Sequence, residues 1–218
     1  MFLKLLEIMK KKYGVDKMNG ILSRQDYIDL NKNQSIIIVG CGGVGFWVAK
    51  MAAMSGINKI RLFDSDVLDI TNLNRIDLPM KFLNKNKADL SKLVIEQIRP
   101  DCDVMSFPFN FNETFATMLD GSYDWLIDCT DKIISQEDNE RISKKMAWRY
   151  MKAGYDGENF SISNEVADWG EFQDGYSITP SWVVPAVMVA SLTIAKIMKY
   201  NDLEICSDVK NVFKSKRG

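Results

Sequence analysis

The sequence predicts one α/β domain: a Rossmann-like, doubly wound, mostly parallel sheet with a C-terminal antiparallel extension and a buried final helix. Three observations predict it. A buried strand runs into a glycine loop and a helix over residues 35–56, and short apolar runs then alternate with helical segments. The 218 residues suffice for one such core but not for two. We expect a single domain over residues 1–218, with an N-terminal helical extension (1–23), a core (24–200) and a C-terminal tail (201–218).

The order of elements follows from local pattern. Residues 35–39, SIIIV, are too few and too β-branched for a helix and predict a buried strand. Residues 43–55 have apolar side chains at helical spacing, and Gly56 follows as a natural C-terminal residue. The same criteria predict, in order, a strand over 59–64, a helix over 84–98 ended by Pro100, strands over 103–107 and 124–128, a helix over 133–151, strands within YMKAGYD (150–156) and FSISNEV (160–166), and an apolar helix from Val183 or Val184 to Tyr200.

Charge and hydropathy exclude several classes of partner. The net charge of −1 produces no strong field toward nucleic acid or an anionic membrane, so we expect neither as a partner. The first residues, MFLKLLEIMKKK, are interrupted by Lys4 and Glu7 and predict an amphipathic helix instead of a signal peptide. The most apolar segment, residues 182–195, runs 14 residues without charge and contains Pro185, which is too short to span a bilayer.

The cysteine and histidine contents limit the chemistry. The four cysteines (Cys41, Cys102, Cys129 and Cys206) stand far apart without paired spacing, which indicates a reduced, cytoplasmic protein. The chain contains no histidine. A mechanism based on an imidazole base, a Ser-His or Cys-His pair, or a histidine-ligated metal is therefore excluded for this chain acting alone. Its chemistry must use carboxylates, lysine, arginine, backbone amides or a cofactor.

The glycine loop predicts a nucleotide site. Residues 40–45, GCGGVG, match the G-x-G-x-x-G pattern between a strand and a helix, where backbone N–H groups and the helix dipole can hold phosphate. Asp64 ends the second strand, where a carboxylate can bind ribose hydroxyls. These features suit an NAD enzyme as well as an ATP enzyme, and by themselves they leave that choice open.

The residues after Asp64 favour ATP. The stretch FDSDVLDITNLNRIDLP brings Arg75 close behind the ribose acid, and NKNKAD adds Lys85 and Lys87. A dehydrogenase has little use for cations at this position. An enzyme that expels pyrophosphate needs them, because they neutralise charge on the leaving phosphates.

The motif series resembles one superfamily. GCGGVG, DSDVLDITNLNR, NKNKA and DCTD, in this order, are similar to the ThiF/MoeB/HesA superfamily, the adenylating relatives of ubiquitin-activating enzymes. The resemblance covers roughly residues 24–200, and WVVPAVMVASLTIAKIMKY resembles the last core helix of that family. It implies ATP-dependent activation of a C-terminal carboxylate as an acyl-adenylate, with release of pyrophosphate. The implied substrate is a small ubiquitin-like or sulfur-carrier protein or a peptide.

The resemblance also implies roles for individual residues. The phosphate loop comprises Gly40, Gly42, Gly43 and Gly45; Asp64 holds the ribose; Asn72, Arg75 and Lys87 grip the triphosphate of ATP; and Asp131 binds Mg²⁺. Arg24, in SRQ, resembles an arginine that reaches the active site of the partner in a two-fold homodimer. Asp66 is a further candidate for the nucleotide site, although Asp66 and Asp69 could instead cap a helical turn. Lys85 is expected to be solvated.

Two features common in that family are missing. The chain has no C-x-x-C pair, so we expect no structural zinc. Residues 132–205 contain no cysteine, so we do not expect a thioester or persulfide step on this chain. Cys206 is a weak candidate for such a step, and Cys129 is expected to be buried.

Two other functions stay open. The segment GCGGVGFW also resembles the tRNA threonylcarbamoyladenosine dehydratases, which activate a carboxylate on a modified tRNA, but the net charge of −1 argues against a tRNA substrate. A non-catalytic partner subunit of an activating enzyme is the second alternative. The intact Asp64, Arg75, Lys87 and Asp131 argue against it.

Overall fold

The computed structural model describes residues 20–25, 27–166, 180–201 and 205–209. The strands are β1 (Ser35–Val39), β2 (Lys59–Phe63), β3 (Asp103–Phe107), β4 (Trp125–Asp128), β5 (Arg149–Asp156), β6 (Asn159–Ser163) and β7 (Ile205–Asp208). The helices are α1 (Gly43–Ser55), α2 (Lys87–Ile98), α3 (Glu113–Met118), α4 (Ile133–Lys145) and α5 (Val183–Met198), with 3₁₀ helices at Gly20–Gln25, Ile70–Asn72 and Met80–Phe82. Most of the predicted N-terminal helical extension, residues 1–19, lies outside the described residues.

The described strands form one seven-stranded sheet in the order β3-β2-β1-β4-β5-β6-β7. Strands β1 to β5 pair in parallel, and β6 and β7 extend the sheet antiparallel at one edge. The predicted fold class is therefore confirmed. The chain proceeds from β1 to β2 and β3 on one side and then returns to add β4 on the other side. In such sheets ligands bind outside the carboxyl ends of the strands at this reversal, here between β1 and β4.

Helices cover both faces of the sheet. Four of the five residues of β1 are buried, as expected for a strand between two helical layers. On one face, α1 packs against α5 through small side chains that include Ala49 and Ala190. On the other face, α3 and α4 contribute Ala116 and Ile142 to a second apolar cluster. This packing holds the carboxyl ends of the strands together at one edge of the domain.

The last helix, α5, is the buried apolar helix that the sequence predicts, and it ends at Met198 instead of Tyr200. Pro185 lies in its first turn, where a missing N–H breaks no helical hydrogen bond. Among the helices in the described part of the chain, none combines the length and the apolar character needed to cross a bilayer.

One predicted helix starts too early. The helix predicted over 84–98 begins at Lys87, because Asn84 has a positive φ of 65° and Asn86 is the N-terminal cap. The Asn86 side chain accepts a hydrogen bond from the Asp89 N–H at 3.1 Å. The asparagines at the start of this segment therefore form a turn and a cap, which are the roles that their side chains favour.

Another predicted helix is too long. The helix predicted over 133–151 ends at Lys145, because Ala147 has a φ of 56° and Arg149 begins β5. Pairing of β5 with β4 outweighs the helical spacing of the preceding residues. The strands predicted over 59–64 and 124–128 are each one residue shorter, and the sequence analysis missed α3, β7 and the 3₁₀ helices.

Candidate nucleotide and metal site

The glycine loop joins β1 to α1 at the carboxyl end of the sheet. Gly40 has a φ of 89°, and a Cβ there would lie 3.0 Å from the carbonyl oxygen of Cys129. A Cβ at Gly45 would lie 1.8 Å from the carbonyl oxygen of Gly40. Glycine is therefore required at both positions, because the loop turns back on itself and passes close to the segment after β4.

At position 42, in contrast, close packing does not require glycine. Gly42 is the N-terminal cap of α1, and a Cβ there would meet no atom within 4 Å. The N–H groups in the first turn of a helix have no helical partners, and Gly42 has no side chain to accept hydrogen bonds from them. Open space beside these N–H groups, at the positive end of a 13-residue helix, suits a phosphate.

Asp64 follows β2 and is bound to the glycine loop. Its Oδ2 accepts a hydrogen bond from the Cys41 N–H at 2.6 Å, and its Oδ1 accepts from the Asp66 N–H at 2.8 Å. Partial burial raises the pKa of Asp64, while these N–H groups and Lys87 act in the opposite direction. The remaining lone pairs of the carboxylate can accept ribose hydroxyls. The predicted ribose acid thus lies beside the predicted phosphate loop.

Hydrogen bonds between the segments that contain Asp66 and Lys87 place Lys87 at the same edge of the sheet. The Lys87 backbone N–H donates to the carbonyl oxygen of Asp66 at 3.0 Å, and its Nζ lies 3.1 Å from the Asp66 carboxylate. The Asn86 amide donates to the carbonyl oxygens of Asp64 and Asp66 at 2.8 and 3.1 Å. Asp66 therefore forms an ion pair with Lys87 and does not cap a helical turn.

Arg75 lies over the start of α1. A Cβ at Gly43 would lie 2.9 Å from the Arg75 Cδ, and the Arg75 Nη1 donates to the carbonyl oxygen of Thr71 at 2.7 Å and to Asn74 Oδ1 at 2.9 Å. The Trp47 indole N–H donates to the Arg75 carbonyl oxygen at 2.8 Å. These partners are all uncharged, so the guanidinium can still neutralise an external anion.

Asn72 and Asp69 form hydrogen bonds within one short turn. The Asp69 carboxylate accepts from the Thr71 N–H at 2.8 Å, and Asn72 Oδ1 accepts from the Asp69 N–H at 3.1 Å. Together they form a capping box on the 3₁₀ helix that starts at Ile70, and the Thr71 N–H lowers the pKa of Asp69. The capping alternative for Asp69 is therefore confirmed. Asn72, only 8% exposed, stabilises the turn that leads to Arg75.

Asp131 is exposed and lies three residues beyond β4. Its turn runs beside the glycine loop, because the Cys129 N–H donates to the Val39 carbonyl oxygen at 2.8 Å. In the part of the chain that the structure describes, no cluster of three or more His, Cys, Asp or Glu side chains could hold a metal ion. A single carboxylate beside the candidate phosphate site nevertheless suits Mg²⁺, which commonly binds one or two carboxylates together with substrate phosphates.

Comparison with known proteins identifies the family. A family model described as the ThiF family matches residues 18–163. The chain belongs to the ThiF family. It is 34% identical over 117 residues to tRNA threonylcarbamoyladenosine dehydratase from Bacillus subtilis, covering 53% of this chain and 46% of that protein. It is 31% identical over 126 residues to the adenylyltransferase and sulfurtransferase UBA4 from Kluyveromyces lactis, covering 56% of this chain and 28% of that protein. This ThiF-family chain thus spans less than half the length of these relatives.

Two solved structures share the fold of this ThiF-family chain. The crystal structure of PaaA superposes with a TM-score of 0.69 and covers 90% of this chain and 71% of PaaA, at 22% identity. The crystal structure of Escherichia coli MccB with ATP gives a TM-score of 0.66 and covers 76% of this chain and 55% of MccB, also at 22% identity. At this identity the likeness establishes the Rossmann-like fold alone.

Arg24 does not join the site of its own ThiF-family chain. It is exposed on the 3₁₀ helix Gly20–Gln25, and the Gln25 amide of that helix donates to the Met54 carbonyl oxygen at 2.9 Å. Met54 is near the C-terminal end of α1, whereas the glycine loop precedes its N-terminal end. A 13-residue α-helix is roughly 20 Å long, so Arg24 is at the opposite end of the domain.

The three cysteines whose side chains are described show no sign of activation. Cys41 and Cys102 are buried and Cys129 is partly buried, and burial raises the pKa of all three thiols, to about 12 for Cys102 and Cys129. A thiol with a raised pKa is mainly protonated at neutral pH and is a poor nucleophile. The Cys206 side chain lies outside the described residues.

The sequence analysis did not predict two residues at the carboxyl edge of the sheet. A Cβ at Gly43 would lie 3.2 Å from the Tyr155 hydroxyl, which places this β5 side chain at the glycine loop. Asp128 is fully buried at the end of β4 and accepts hydrogen bonds from Thr130, Asn139 and Tyr150. The acid at the end of the apolar run WLI indicates that the strand ends in a turn held by side-chain hydrogen bonds. Nothing in the sequence around Tyr155 distinguishes it from an aromatic residue of the core.

Proposed function

We propose that this chain is an ATP-dependent adenylyltransferase. The observation that supports it best is one juxtaposition at the carboxyl end of the sheet. Gly42 borders open space at the start of α1, Asp64 is hydrogen-bonded to the same loop, and Arg75 lies over its next glycine. Lys87 adds a second cation beside Asp64. A hydride-transferring enzyme has little use for cations at this position, whereas expulsion of pyrophosphate requires them.

The proposed reaction needs no general base. A C-terminal carboxylate is ionised at neutral pH, and its oxygen attacks the α-phosphorus of ATP. The new oxygen–phosphorus bond forms as the bond to the bridging oxygen breaks, and the electron pair leaves with pyrophosphate. Bound at Asp131, Mg²⁺ would offset the charge of the phosphates. The N–H groups of the α1 N-terminus, Arg75 and Lys87 orient and neutralise the triphosphate, which a chain without histidine can do.

The proposed substrate is the C-terminus of a small ubiquitin-like or sulfur-carrier protein or of a peptide. Relatives support this class by name: UBA4 is called an adenylyltransferase and sulfurtransferase, and a relative from Dictyostelium discoideum, 35% identical over 94 residues and covering 43% of this chain and 24% of that protein, is called ubiquitin-like modifier-activating enzyme 5. MccB has been crystallised with MccA and an ATP analogue. A cytoplasmic location, a dependence on Mg²⁺ and the absence of zinc complete the proposal.

A tRNA substrate is the alternative with a specific observation behind it. The Bacillus subtilis relative is named a tRNA threonylcarbamoyladenosine dehydratase. The net charge of −1 argues against tRNA, because proteins that bind tRNA need an excess of cations on one surface. A non-catalytic subunit is the other alternative. Binding of tRNA in a gel-shift assay would support the first alternative, and binding of ATP without any turnover would support the second.

The experiment that tests the proposal has two steps. Calorimetry with ATP and Mg²⁺ should show binding, and the same titration with NAD should show none. With an acyl acceptor present, radioactive pyrophosphate should then exchange into ATP. Binding of NAD in place of ATP would overturn the proposal at its base. Exchange that requires tRNA and not a protein or peptide C-terminus would reject the proposed substrate class only.

We also propose a two-fold homodimer in which Arg24 serves the site of the partner. The distance between Arg24 and the glycine loop within one chain supports an action in trans. Arg24→Ala and Asp131→Ala proteins should each be inactive, and refolding them together should restore about a quarter of the sites if pairing is random. A refolded mixture that contains mixed dimers and shows no exchange would remove Arg24 from the proposal.

A further inference from the structure

Lys152 is a buried cation without a direct ion pair in the described part of the chain. It lies on β5, is 3% exposed, and forms no ion pair with any of the described residues. Its Nζ donates to the carbonyl oxygen of Thr130 at 2.6 Å. It also lies 3.4 Å from the carbonyl oxygens of Asp128 and Ala153. The hydrogen bonds of this ammonium group therefore go to neutral oxygens, and the buried Asp128 lies beside it at the paired position of β4.

Burial of the Lys152 ammonium group by itself destabilises the fold. Such burial in a protein interior carries a penalty of several kcal/mol, which is comparable with the whole free energy of unfolding of many domains. On this face of the sheet the neighbours of Lys152 are polar, because Asp128 is its register partner and Tyr150 lies two residues before it on β5. The ammonium group is therefore held by hydrogen bonds, and these bonds point to a task in the turn after β4.

The strongest contact of Lys152 indicates that task. Thr130, whose carbonyl oxygen accepts from Lys152, directly precedes Asp131. The same oxygen accepts from the Gln136 amide at 3.3 Å. On the other side of the turn, the Thr130 N–H and hydroxyl donate to Asp128 Oδ1 at 2.8 and 2.7 Å.

Asp128 is itself held from a second direction. Its Oδ2 accepts from Asn139 on α4 at 2.8 Å and from the Tyr150 hydroxyl on β5 at 3.1 Å. The backbone before Asp131 is thus held by β5 and α4 together, whereas the Asp131 side chain remains exposed. A side chain on an exposed turn has a defined direction only if the backbone beneath it is held in this way.

We propose that Lys152 is a positioning residue that holds the 128–131 turn so that the Asp131 carboxylate points at the metal–nucleotide complex. The inference rests on the proposed function, because it assumes that Asp131 binds a divalent cation. Lys152 acts through the Thr130 carbonyl group and is too buried to contact the substrate. Partners of this kind commonly change metal affinity by about 10- to 100-fold when they are removed.

A charge-neutral variant is needed to separate positioning from simple electrostatics. Lys152→Met removes a positive charge near the site, and because Mn²⁺ binds there as an anionic complex with the nucleotide, loss of attraction alone would weaken binding. Loss of positioning would weaken it as well. We therefore expect the affinity for Mn²⁺, measured by electron paramagnetic resonance with a non-hydrolysable ATP analogue, to fall at least about tenfold. An affinity that is unchanged or higher, in a folded Lys152→Met protein, would overturn the inference.

A second variant, whose folding is checked in the same way, avoids the charge change. Gln136→Met removes the other donor to the Thr130 carbonyl oxygen without altering net charge, and it should weaken Mn²⁺ binding in the same direction by a smaller factor. The matched control is Lys59→Met, because Lys59 also donates to a backbone carbonyl oxygen, that of Asp120 at 2.9 Å, at the other end of the sheet. This control should leave Mn²⁺ affinity unchanged, and an unchanged affinity in Gln136→Met would contradict the inference.

Asp131→Asn separates failure of this inference from failure of the proposed function. It should weaken Mn²⁺ binding, and Lys152→Met should add little in the double variant, because both changes act on one ligand. If Asp131→Asn has no effect, the metal assignment in the proposed function is wrong, and the inference falls with it. If Asp131→Asn weakens binding and both Lys152→Met and Gln136→Met do not, the inference alone is wrong.

Discussion

The cations at the two ends of the central sheet have different partners. At the amino end, the Arg61 guanidinium is 2.9 Å from Asp103 and 3.4 Å from Asp120. Arg99, at the same end, forms a bidentate pair with Asp101 at 2.7 and 2.8 Å. Each of these arginines has a carboxylate partner within the chain. The hydrogen bonds to Asp101 also raise the pKa of the Arg99 guanidinium. Their charge is used for structure.

At the carboxyl end the pairing is incomplete. Arg75 and Lys152 donate only to carbonyl and amide oxygens, and Lys87 shares Asp66, whose side chain is 70% exposed. Lys87 alone of these three forms an ion pair with a described residue, although Asp64 and the buried Asp128 lie at the same edge. The comparison teaches that the arginines at one end are bound directly to carboxylates, whereas Arg75 at the other end has only uncharged partners among the described residues. The predictions below test this difference in order of expected effect.

The largest expected effect is at the carboxyl end. Arg75→Ala and Asp131→Ala should each lower the rate of ATP–pyrophosphate exchange by a factor of about 100 to 1,000, because each removes one charge-stabilising contact to the phosphates. Thermal unfolding should stay close to that of the unmodified protein, since neither side chain forms an ion pair with the described residues. Exchange near the unmodified rate in either variant would show that these residues are misassigned.

At the amino end the loss should appear in stability instead. Arg61→Ala should lower the free energy of unfolding by about 2 to 4 kcal/mol in urea titrations, because a fully buried side chain and its hydrogen bonds disappear. Lys92→Ala is the control, because it breaks a half-exposed pair with Glu96 and should cost no more than about 1 kcal/mol. Exchange per folded molecule should not change in either variant. A specific loss of exchange in Arg61→Ala would break the comparison between the two ends.

Two glycines allow a role in binding and a role in folding to be compared within the glycine loop itself. Gly42→Ala places a methyl group in open space, so the fold should persist while ATP affinity falls by about tenfold or more, because the phosphates need that space. Gly45→Ala should unfold more easily, since its Cβ would lie 1.8 Å from a backbone oxygen. Calorimetry and thermal melts on both variants distinguish the two roles. Unchanged ATP affinity in Gly42→Ala would mean that phosphate does not occupy this space.

The smallest expected effect concerns the thiols. Replacing any of the four cysteines with alanine or serine should leave exchange within about twofold, because no activated thiolate is required. In the folded protein, Cys102 and Cys129 should resist iodoacetamide at pH 8: their pKa values are raised to about 12, so the neutral thiol dominates until the pH approaches that value. Mass spectrometry of alkylated peptides measures this directly. Rapid labelling of Cys129 at pH 8 would contradict its assignment as a packing residue.

Much of the fold could be predicted because its signals are local. The run SIIIV, the glycines after it and Gly56 define β1, the loop and α1 within a few residues of each position, and the structure confirms all three. The errors arose where distant segments compete for the backbone. The start of α2 depends on the pairing of Asn84 with Leu68, and the end of α4 depends on β5 reaching β4. No window of a few residues contains that information.

The candidate site divides in the same way. The sequence by itself limited which chemistry is possible: it has no histidine, and it predicts a phosphate loop, a ribose acid and two cations in order. Only the tertiary structure decided which charges are already neutralised, because the partners are far apart in the chain. Arg61 meets the Asp103 carboxylate across 42 residues, whereas the shortest contact of Lys152 is to a neutral carbonyl oxygen, that of Thr130, across 22. Sequence patterns report the preferences of neighbouring residues, but the register of the parallel strands brings these groups together, and that register is a property of the whole sheet.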